Sequence, residues 1–497
     1  MDVSSWEPNG SDADSPPHRA GVEEPEPPLC VDLDGTLLAT DTLHEAVLAV
    51  VAADWGVVAR LPGWLAAGKA CLKRELAARW ALDASALPYN ADVVRLLERE
   101  RERGRRIVLC TAADRRVAEA VARHLGLFDE VLASDGATNL RGAAKAEALV
   151  RRFGRRGFTY VGNDAADLRV WRHAAGAILV AAPSRVRRAA AELVRVERVV
   201  ARPAPVGPAV LRALRPHQWS KNALCLVPLL AAGSLDPAMW LAAAVAMAAF
   251  CATASAIYVL NDLSDLAADR AHPYKSRRPF ASGALPVAWG LVLAPVLLLL
   301  GAALGWAGGI LPVLFAYAGL SLAYTVRLKE LPLVDVFVLA ALYTVRVVAG
   351  GVASMNSVSL WLLGFSAFLF LSLGLIKRVS ELQRLRPTER GRVARRGYIV
   401  QDLALLQHLG CASTFASAVV LSLYVQSEAA SRAYGFPEAL WGAVPLLLFW
   451  QCRLWLATAR GYMHDDPIVY AGRDVPSWLT AAGLCAVALV ARSSSGA

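Results

Sequence analysis

A soluble α/β domain followed by an all-helical polytopic membrane domain is the fold class that the sequence predicts. Three observations lead there. The chain has 497 residues, more than one ordinary domain uses. Hydrophobic residues make up 56% and charged residues 19%, with mean hydropathy +0.41; soluble globular chains carry about a quarter charged residues. The apolar excess is also one-sided. Residues 1–220 are charge-rich, whereas most of 221–497 is long apolar runs. This composition excludes a disordered chain and argues against a wholly soluble protein.

Residues 1–28 are rich in Pro, Asp, Glu and Ser and poor in aliphatics, so they read as a disordered tail. They contain no basic stretch leading into an apolar run, so no secretory signal is read there and the front half is expected in the cytoplasm. Leu29-Cys30-Val31-Asp32-Leu33 is a short buried strand ending in acidic residues. Residues 43–103 show apolar positions at helical spacing. Further strands follow at 106–110, 130–133, 158–161 and 177–180, with a helix over 114–125. Strands alternating with helices imply a mainly parallel sheet covered on both faces. Residues 184–200 carry Arg185, Arg187, Arg188, Arg195 and Arg198 and read as a basic helix, either solvated or lying on an anionic membrane surface. The Pro-rich stretch 202–208 is a linker. The boundaries are therefore tail 1–28, α/β domain 29–182, basic helix and linker 183–210, and membrane domain 211–497.

Beyond residue 210, nine segments approach the roughly 20 residues that cross a bilayer: 214–235, 238–260, 285–305, 309–326, 332–352, 358–377, 402–426, 437–459 and 476–493. One set of loops holds Arg270, Lys275, Arg277, Arg278, Arg327, Lys329, Lys377, Arg378, the arginine-rich run from Arg384 to Arg396, and Arg473. The opposite set holds Arg432. By the positive-inside rule the first set is cytoplasmic, and with it the N-terminus. The net charge of +10 is explained by this flanking arginine, so no nucleic-acid partner is expected. The 8 cysteines form no CxxC pair and read as reduced, buried small hydrophobes.

Asp32-Leu33-Asp34-Gly35-Thr36 stands at a strand end, where open α/β sheets place their ligands. Two carboxylates two residues apart can serve one magnesium ion; Asp32 can attack a phosphoryl group and Asp34 can protonate the leaving oxygen. This segment resembles the first motif of the haloacid dehalogenase-like phosphatases, a Rossmann-like fold. The resemblance implies roles for Thr111 in holding phosphate and for Lys145 in neutralising it. Gly162-Asn163-Asp164-Ala165-Ala166-Asp167 resembles the family's acidic metal-holding motif. The family places Asp directly after the Gly, where this chain has Asn163; Asp164 or Asp167 is then the candidate carboxylate. The insert at about 38–105 resembles a small helical cap. A degenerate, non-catalytic domain is the alternative.

The second span ends in Asn261-Asp262-Leu263-Ser264-Asp265-Leu266-Ala267-Ala268-Asp269-Arg270. On a helix Asp262, Asp265 and Asp269 share one face. Clustered carboxylates at a membrane interface call for a cation, and magnesium commonly links carboxylates to substrate phosphates. Lys275, Arg277 and Arg278 follow, able to hold phosphate oxygens. The stretch resembles the first motif of the UbiA superfamily of intramembrane prenyltransferases, over about 211–497, and the span count agrees. The family's second Asp-rich motif should follow the sixth span; here Lys377-Arg378-Val379-Ser380-Glu381 stands in its place. With Arg215-Pro216-His217-Gln218-Trp219-Ser220-Lys221-Asn222, this is similar to the decaprenyl-phosphate phosphoribosyltransferase branch. The resemblance implies Lys221, Asn222, Asn261, Lys275, Arg277, Arg278, Tyr324, Lys329, Lys377, Arg378 and Glu381 at the substrate. It implies Asp262, Asp265 and Asp269 at Mg2+. Arg346, inside the fifth span, is expected to face the cavity.

The expected activity is Mg2+-assisted transfer of 5-phosphoribose from phosphoribosyl diphosphate to a polyprenyl (decaprenyl) phosphate in the lipid bilayer. The phosphatase would then remove the product's 5-phosphate. The alternatives are an ordinary prenyltransferase moving an isoprenyl chain, and a non-catalytic lipid-binding protein. Polyprenyl length is not readable, and a homo-oligomer is left open.

Overall fold

The computed structural model describes residues 26–201, 205–356, 358–384, 397–463 and 466–493. Most of the expected tail, part of the linker and the arginines from Arg386 to Arg396 lie outside the described residues. Contacts divide the chain into two units, Met1–Leu38 with Val58–Arg202, and Ala39–Val57 with Pro203–Ala497.

In chain order the first stretch runs β1 (Leu29–Val31), α1 (Thr42–Ala53), α2 (Leu61–Ala66), α3 (Lys69–Arg79), α4 (Ala91–Glu102), β2 (Ile107–Asp114), α5 (Arg115–Leu125) and β3 (Glu130–Ser134). It continues with α6 (Ala143–Phe153), β4 (Thr159–Gly162), α7 (Leu168–Trp171), β5 (Gly176–Val180), α8 (Ser184–Leu193) and β6 (Arg195–Val200). The strands pair in parallel in the order β3-β2-β1-β4-β5-β6. Central strands β1 and β5 are apolar throughout because both their faces are covered. One core gathers Val31, Leu109, Val121 and Val180; the opposite one gathers Cys30, Val108, Tyr160, Trp171 and Leu179. The order reverses between β1 and β4, which opens a crevice at their carboxyl ends.

Two expectations are corrected here. Residues 184–200 are not one basic helix. α8 stops at Leu193, and Arg195–Val200 becomes a sixth strand on β5. Val196, Val199 and Val200 favour the extended chain, and the interspersed Arg195, Glu197 and Arg198 suit an exposed sheet edge. The insert is also not a single cap. α2, α3 and α4 stay with the sheet, where Lys73 donates to the Ala112 carbonyl at 2.5 Å. α1, capped by Asp41 at the Leu43 and His44 N–H groups, groups with the membrane unit.

The membrane unit continues with α9 (Val206–Leu214), a 3-10 segment Pro216–Leu226, α10 (Val227–Ala232), α11 (Pro237–Ser264), α12 (Leu266–Ala271), α13 (Val287–Ala307), α14 (Leu311–Val326) and α15 (Val334–Ala353). It ends with α16 (Leu360–Gln383), α17 (Leu403–Val425), α18 (Glu428–Ala433), α19 (Ala443–Ala459), α20 (Pro467–Ala471) and α21 (Val475–Arg492). Among the described residues, 7 helices are long and apolar enough to cross a membrane. They match seven of the nine segments read from the sequence. The eighth, α14, is a shorter apolar helix of 16 residues. The ninth, 214–235, is not one helix but a turn, a 3-10 segment and α10. Pro216 and Pro228 both lie in it, and each removes a helical N–H. The 3-10 segment lies close against α15: a Cβ on Gly350 would fall 1.9 Å from the Cys225 carbonyl oxygen.

Candidate active sites

In the α/β unit the parallel register assembles the first site. Val31 pairs with Leu109 and with Val161, so Asp32 stands level with Cys110 on one side and Gly162 on the other. The Asp32 N–H donates to the Val161 carbonyl at 3.0 Å. Thr111 is one residue beyond, buried, its hydroxyl oxygen accepting from the Ala113 N–H at 3.0 Å. From α6, Lys145 donates to Asp32 Oδ1 and to the Tyr160 hydroxyl, both at 2.8 Å. Tyr160 in turn donates to Asp167 Oδ1 at 3.1 Å. The Leu33 N–H also donates to Asp32 Oδ1, so both bonds fall on the same carboxylate oxygen. Burial pushes the Asp32 carboxyl up to about 6 despite the pull of Lys145. Burial works against the Lys145 charge too, but Asp32 and Asp167 outweigh it and hold the ammonium above the ordinary lysine range.

The fourth motif divides its tasks unexpectedly. Asp167 Oδ2 accepts the N–H groups of Asn163 and Asp164, both at 3.0 Å. With Oδ1 on Tyr160, its carboxylate is spent on the loop and on Lys145's partner. Asp164 is half exposed, caps the Ala165 N–H and pairs with Arg141 at 3.2 Å. Asn163 is the residue that meets the DxDGT turn: a Cβ on Gly35 (φ +72°) would fall 2.2 Å from its Nδ2. Only Gly admits both this φ and this approach. Asn163 thus packs on the turn that carries Asp34, while Asp167 is joined to Asp32 through Tyr160 and Lys145. Magnesium keeps several waters and needs only one or two carboxylates, which the Asp32-Leu33-Asp34 turn can offer.

In the membrane unit the acidic stretch runs from the end of α11 through a break at Asp265 into α12. Asp262 and Asp269 are buried, and they converge. Arg278 Nη1 lies 3.1 Å from Asp262 Oδ1 and 2.6 Å from Asp269 Oδ2. One cationic nitrogen thus bridges two carboxylates, which makes Asp262 and Asp269 the candidates for holding a cation. Arg215 supplies a second guanidinium to Asp262 and lies 5.1 Å from the Tyr258 ring centre. It does so from a left-handed backbone, φ 52°, at the join of α9 and the 3-10 segment. Asp265 is half-buried beside them, as is Asn261, while Lys275 and Arg277 are exposed on the following loop.

A second polar cluster forms around Asp466, just ahead of α20. Lys221 donates to Asp466 Oδ2 at 2.6 Å and Lys377 to the same oxygen at 3.4 Å; Tyr343 adds its hydroxyl at 3.1 Å. Burial works against the Asp466 charge, but the two ammonium groups outweigh it and hold the carboxyl well below the usual range.

The chain matches two families in succession. The model described as "haloacid dehalogenase-like hydrolase" matches residues 29–172, and that described as "UbiA prenyltransferase family" matches 223–462. A Sinorhizobium fredii protein named "Uncharacterized protein y4nM" is 37% identical over 92% of this chain and 89% of its own length. "Nodulation protein NoeC" of Azorhizobium caulinodans is 36% identical over 55% of this chain and 89% of its own. A Mycolicibacterium smegmatis protein named "Decaprenyl-phosphate phosphoribosyltransferase" is 34% identical over 48% of this chain and 78% of its own length. The chain belongs to the UbiA prenyltransferase family, with a haloacid dehalogenase-like hydrolase domain ahead of it. It is an integral membrane enzyme.

Within the UbiA-family unit, several expected substrate residues bond one another. Arg378 is buried and donates to Asp335, Glu381 and, at 2.9 Å, the Tyr324 hydroxyl. Tyr398 completes this group by donating to Asp335 at 2.5 Å. Arg378, Tyr324 and Glu381 are thus bonded into one polar cluster, while Lys377, one residue earlier and half-buried, turns to Asp466. Asn222 is buried and accepts from the Arg346 guanidinium at 2.7 Å. Arg346 donates to Asn222, the Leu342 carbonyl and the Tyr317 hydroxyl. Lys329 is half-buried between α14 and α15. Sequence reading missed Arg215 as a partner of Asp262, although it stands in the quoted motif. It also missed Asp466, whose signal is an acidic residue before Pro467 at the start of a short loop helix.

Proposed function

We propose that the UbiA-family unit transfers 5-phosphoribose from phosphoribosyl diphosphate to a polyprenyl phosphate, of decaprenyl type. We propose further that the hydrolase domain removes the 5-phosphate of the product, from the cytoplasmic side. The observation that carries the donor assignment is the cationic pair Lys221 and Lys377 around the single carboxylate of Asp466. An isoprenyl diphosphate presents one diphosphate; phosphoribosyl diphosphate brings a further phosphate on the sugar, which two lysines suit. The kinship with proteins named decaprenyl-phosphate phosphoribosyltransferase supports the same reading.

In the transfer, an acceptor phosphate oxygen attacks ribose C1, the new O–C1 bond forms and the C1–O bond to diphosphate breaks. Asp262 and Asp269, with Asp265, would hold Mg2+, which supplies Lewis-acid neutralisation of the departing diphosphate. Arg278 and Arg215 then exchange their carboxylates for diphosphate oxygens, so charge stays balanced as substrate enters. Lys221 and Lys377 make the same exchange from Asp466 to the sugar phosphate.

In the hydrolase domain Asp32 attacks phosphorus, Asp34 protonates the leaving sugar oxygen, and water later cleaves the aspartyl phosphate. Thr111 orients the phosphoryl group and Lys145 neutralises it. Asp32 and Asn163 would share the Mg2+, which offsets charge on the phosphoryl oxygens.

The deciding experiment incubates membranes containing the full chain with labelled phosphoribosyl diphosphate, polyprenyl phosphate and Mg2+. Labelled lipid, first phosphorylated and then dephosphorylated, is the expected product. Consumption of labelled isoprenyl diphosphate with no use of phosphoribosyl diphosphate would replace this reading by ordinary prenyl transfer.

A further inference from the structure

Arg270 directly follows Asp269, and it is held by a residue from far outside the transferase motifs. Its Nη1 and Nη2 donate to Glu45 Oε2 and Oε1 at 2.9 and 2.6 Å, a two-pronged pair. The side chains are 8% and 5% exposed. Glu45 Oε1 also accepts the Thr40 hydroxyl at 2.7 Å. Arg270 Nε donates to the Ala281 carbonyl at 3.1 Å, which ties α12 to the loop carrying Arg278. Glu45 sits on α1, the helix that follows the DxDGT turn and groups with the membrane unit. Leu48, one turn on, joins the apolar cluster of Ala213, Val259, Leu263 and Phe280 beneath the acidic loop.

We propose that Glu45 is a positioning residue of the transferase: it neutralises and aims Arg270, so that Asp269 stays available to a metal ion. This rests on the proposed role of Asp262, Asp265 and Asp269 as metal carboxylates. A buried guanidinium stripped of its carboxylate seeks another. The nearest in sequence is that of Asp269, already shared with Arg278. Without Glu45, Arg270 becomes a second internal cation on the acidic loop and competes with the metal. Fixing both guanidinium edges on Glu45, and Nε on Ala281, prevents that rotation and sets the spacing of Asp269 from Arg278. The segment 39–57 thereby becomes part of the transferase, although in sequence it interrupts the hydrolase domain.

The test measures Mn2+ binding, in place of Mg2+, by electron paramagnetic resonance on the full chain in detergent with inorganic diphosphate present. Asp32→Asn in the parent weakens the hydrolase site so that it does not mask the other. Glu45→Gln and Glu45→Ala should each weaken diphosphate-dependent Mn2+ binding about tenfold, as loss of an outer-shell partner does. Glu45→Asp should stay within about threefold of the parent on the same ground. The exchanged pair Glu45→Arg with Arg270→Glu should recover most of the affinity lost by Glu45→Arg alone. If Glu45→Ala does not fold, the near-isosteric Glu45→Gln decides. Parent-like Mn2+ affinity in Glu45→Gln, with only a lower unfolding temperature, overturns the inference and leaves the proposed function standing. A parent that binds no Mn2+ with diphosphate overturns both.

Discussion

Lys221 and Asp466, 245 residues apart in the chain, form a buried ion pair at 2.6 Å, and Lys377 approaches the same carboxylate oxygen. This grouping occupies the place for which a second Asp-rich motif was sought. It carries two positive charges and one negative one where two carboxylates would carry the opposite balance. Asp466→Ala should leave both ammonium groups without their counter-ion, at a cost of about 3–5 kcal/mol. Thermal unfolding in detergent should show the loss. Transfer should fall with it, since Lys221 would be left misplaced or uncharged.

Removing a carboxylate from the acidic loop separates chemistry from folding. Asp262→Ala or Asp265→Ala should insert into membranes normally and lose roughly a hundredfold or more of transferase activity. Wild-type turnover by either variant would remove these residues from the proposed metal site.

The donor assignment makes its own demand on Lys377. Lys377→Ala should weaken binding of phosphoribosyl diphosphate by roughly 1.5–3 kcal/mol, the value of a charged hydrogen bond. Binding of plain inorganic diphosphate should change less. Equilibrium dialysis with the two labelled ligands distinguishes them, and equal losses for both would count against a sugar-phosphate contact.

Phosphatase activity should depend on pH through Asp32. Its carboxyl is pushed up to about 6, and attack requires the carboxylate. At limiting Mg2+, hydrolysis of a phosphomonoester should therefore rise with pH and level off above about pH 6, and saturating Mg2+, a cation on the carboxylate, should move the rise to lower pH. The stability effect has the opposite sign. The folded chain holds this proton more tightly than the unfolded one, so the group favours folding at low pH and loses that contribution as pH climbs from the ordinary 3.8 through about 6. Lys145→Met removes the charge that pulls Asp32 down and should move the activity rise to higher pH. An unmoved profile would assign the titration to another group.

Asn163→Asp tests the one departure from the hydrolase pattern. A carboxylate set against Gly35 adds a charged oxygen at the DxDGT turn and should lower the Mg2+ concentration needed for half-maximal hydrolysis. Asp164→Ala, by contrast, should leave that concentration within about twofold, because its carboxylate serves Ala165 and Arg141 on the surface.

Much of this arrangement was readable from residue pattern alone, and the exceptions have physical causes. Five of the six strands announce themselves as apolar runs, and Asp32, Thr111 and Lys145 follow from their strand and helix ends. β6 did not, because its arginines dominate the composition while its valines alternate too briefly to outweigh them. Lys377 and Arg378 look equivalent in sequence, yet neighbours on a helix point about 100° apart, so one reaches Asp466 and the other Asp335. Asp167 and Asp164 both fit the spacing of a metal carboxylate; only the loop's own N–H groups show that Asp167 is already engaged. Asp466 could not be paired with Lys221 from sequence at all, since nothing local links them.

The placement of α1 also sets an order of events during synthesis. Glu45 leaves the ribosome 225 residues ahead of Arg270, and Leu48 precedes the apolar cluster that receives it by a similar margin. At roughly 5–20 residues per second, the helix waits on the order of ten to forty-five seconds for its partners. During that interval an apolar helix bearing a carboxylate has no seat, while the sheet strands on either side of it in sequence are already free to pair. Maturation of the membrane unit is therefore bound to the survival of an early segment, and an N-terminal deletion past residue 57 would leave Arg270 without Glu45, with Asp269 the nearest carboxylate in sequence.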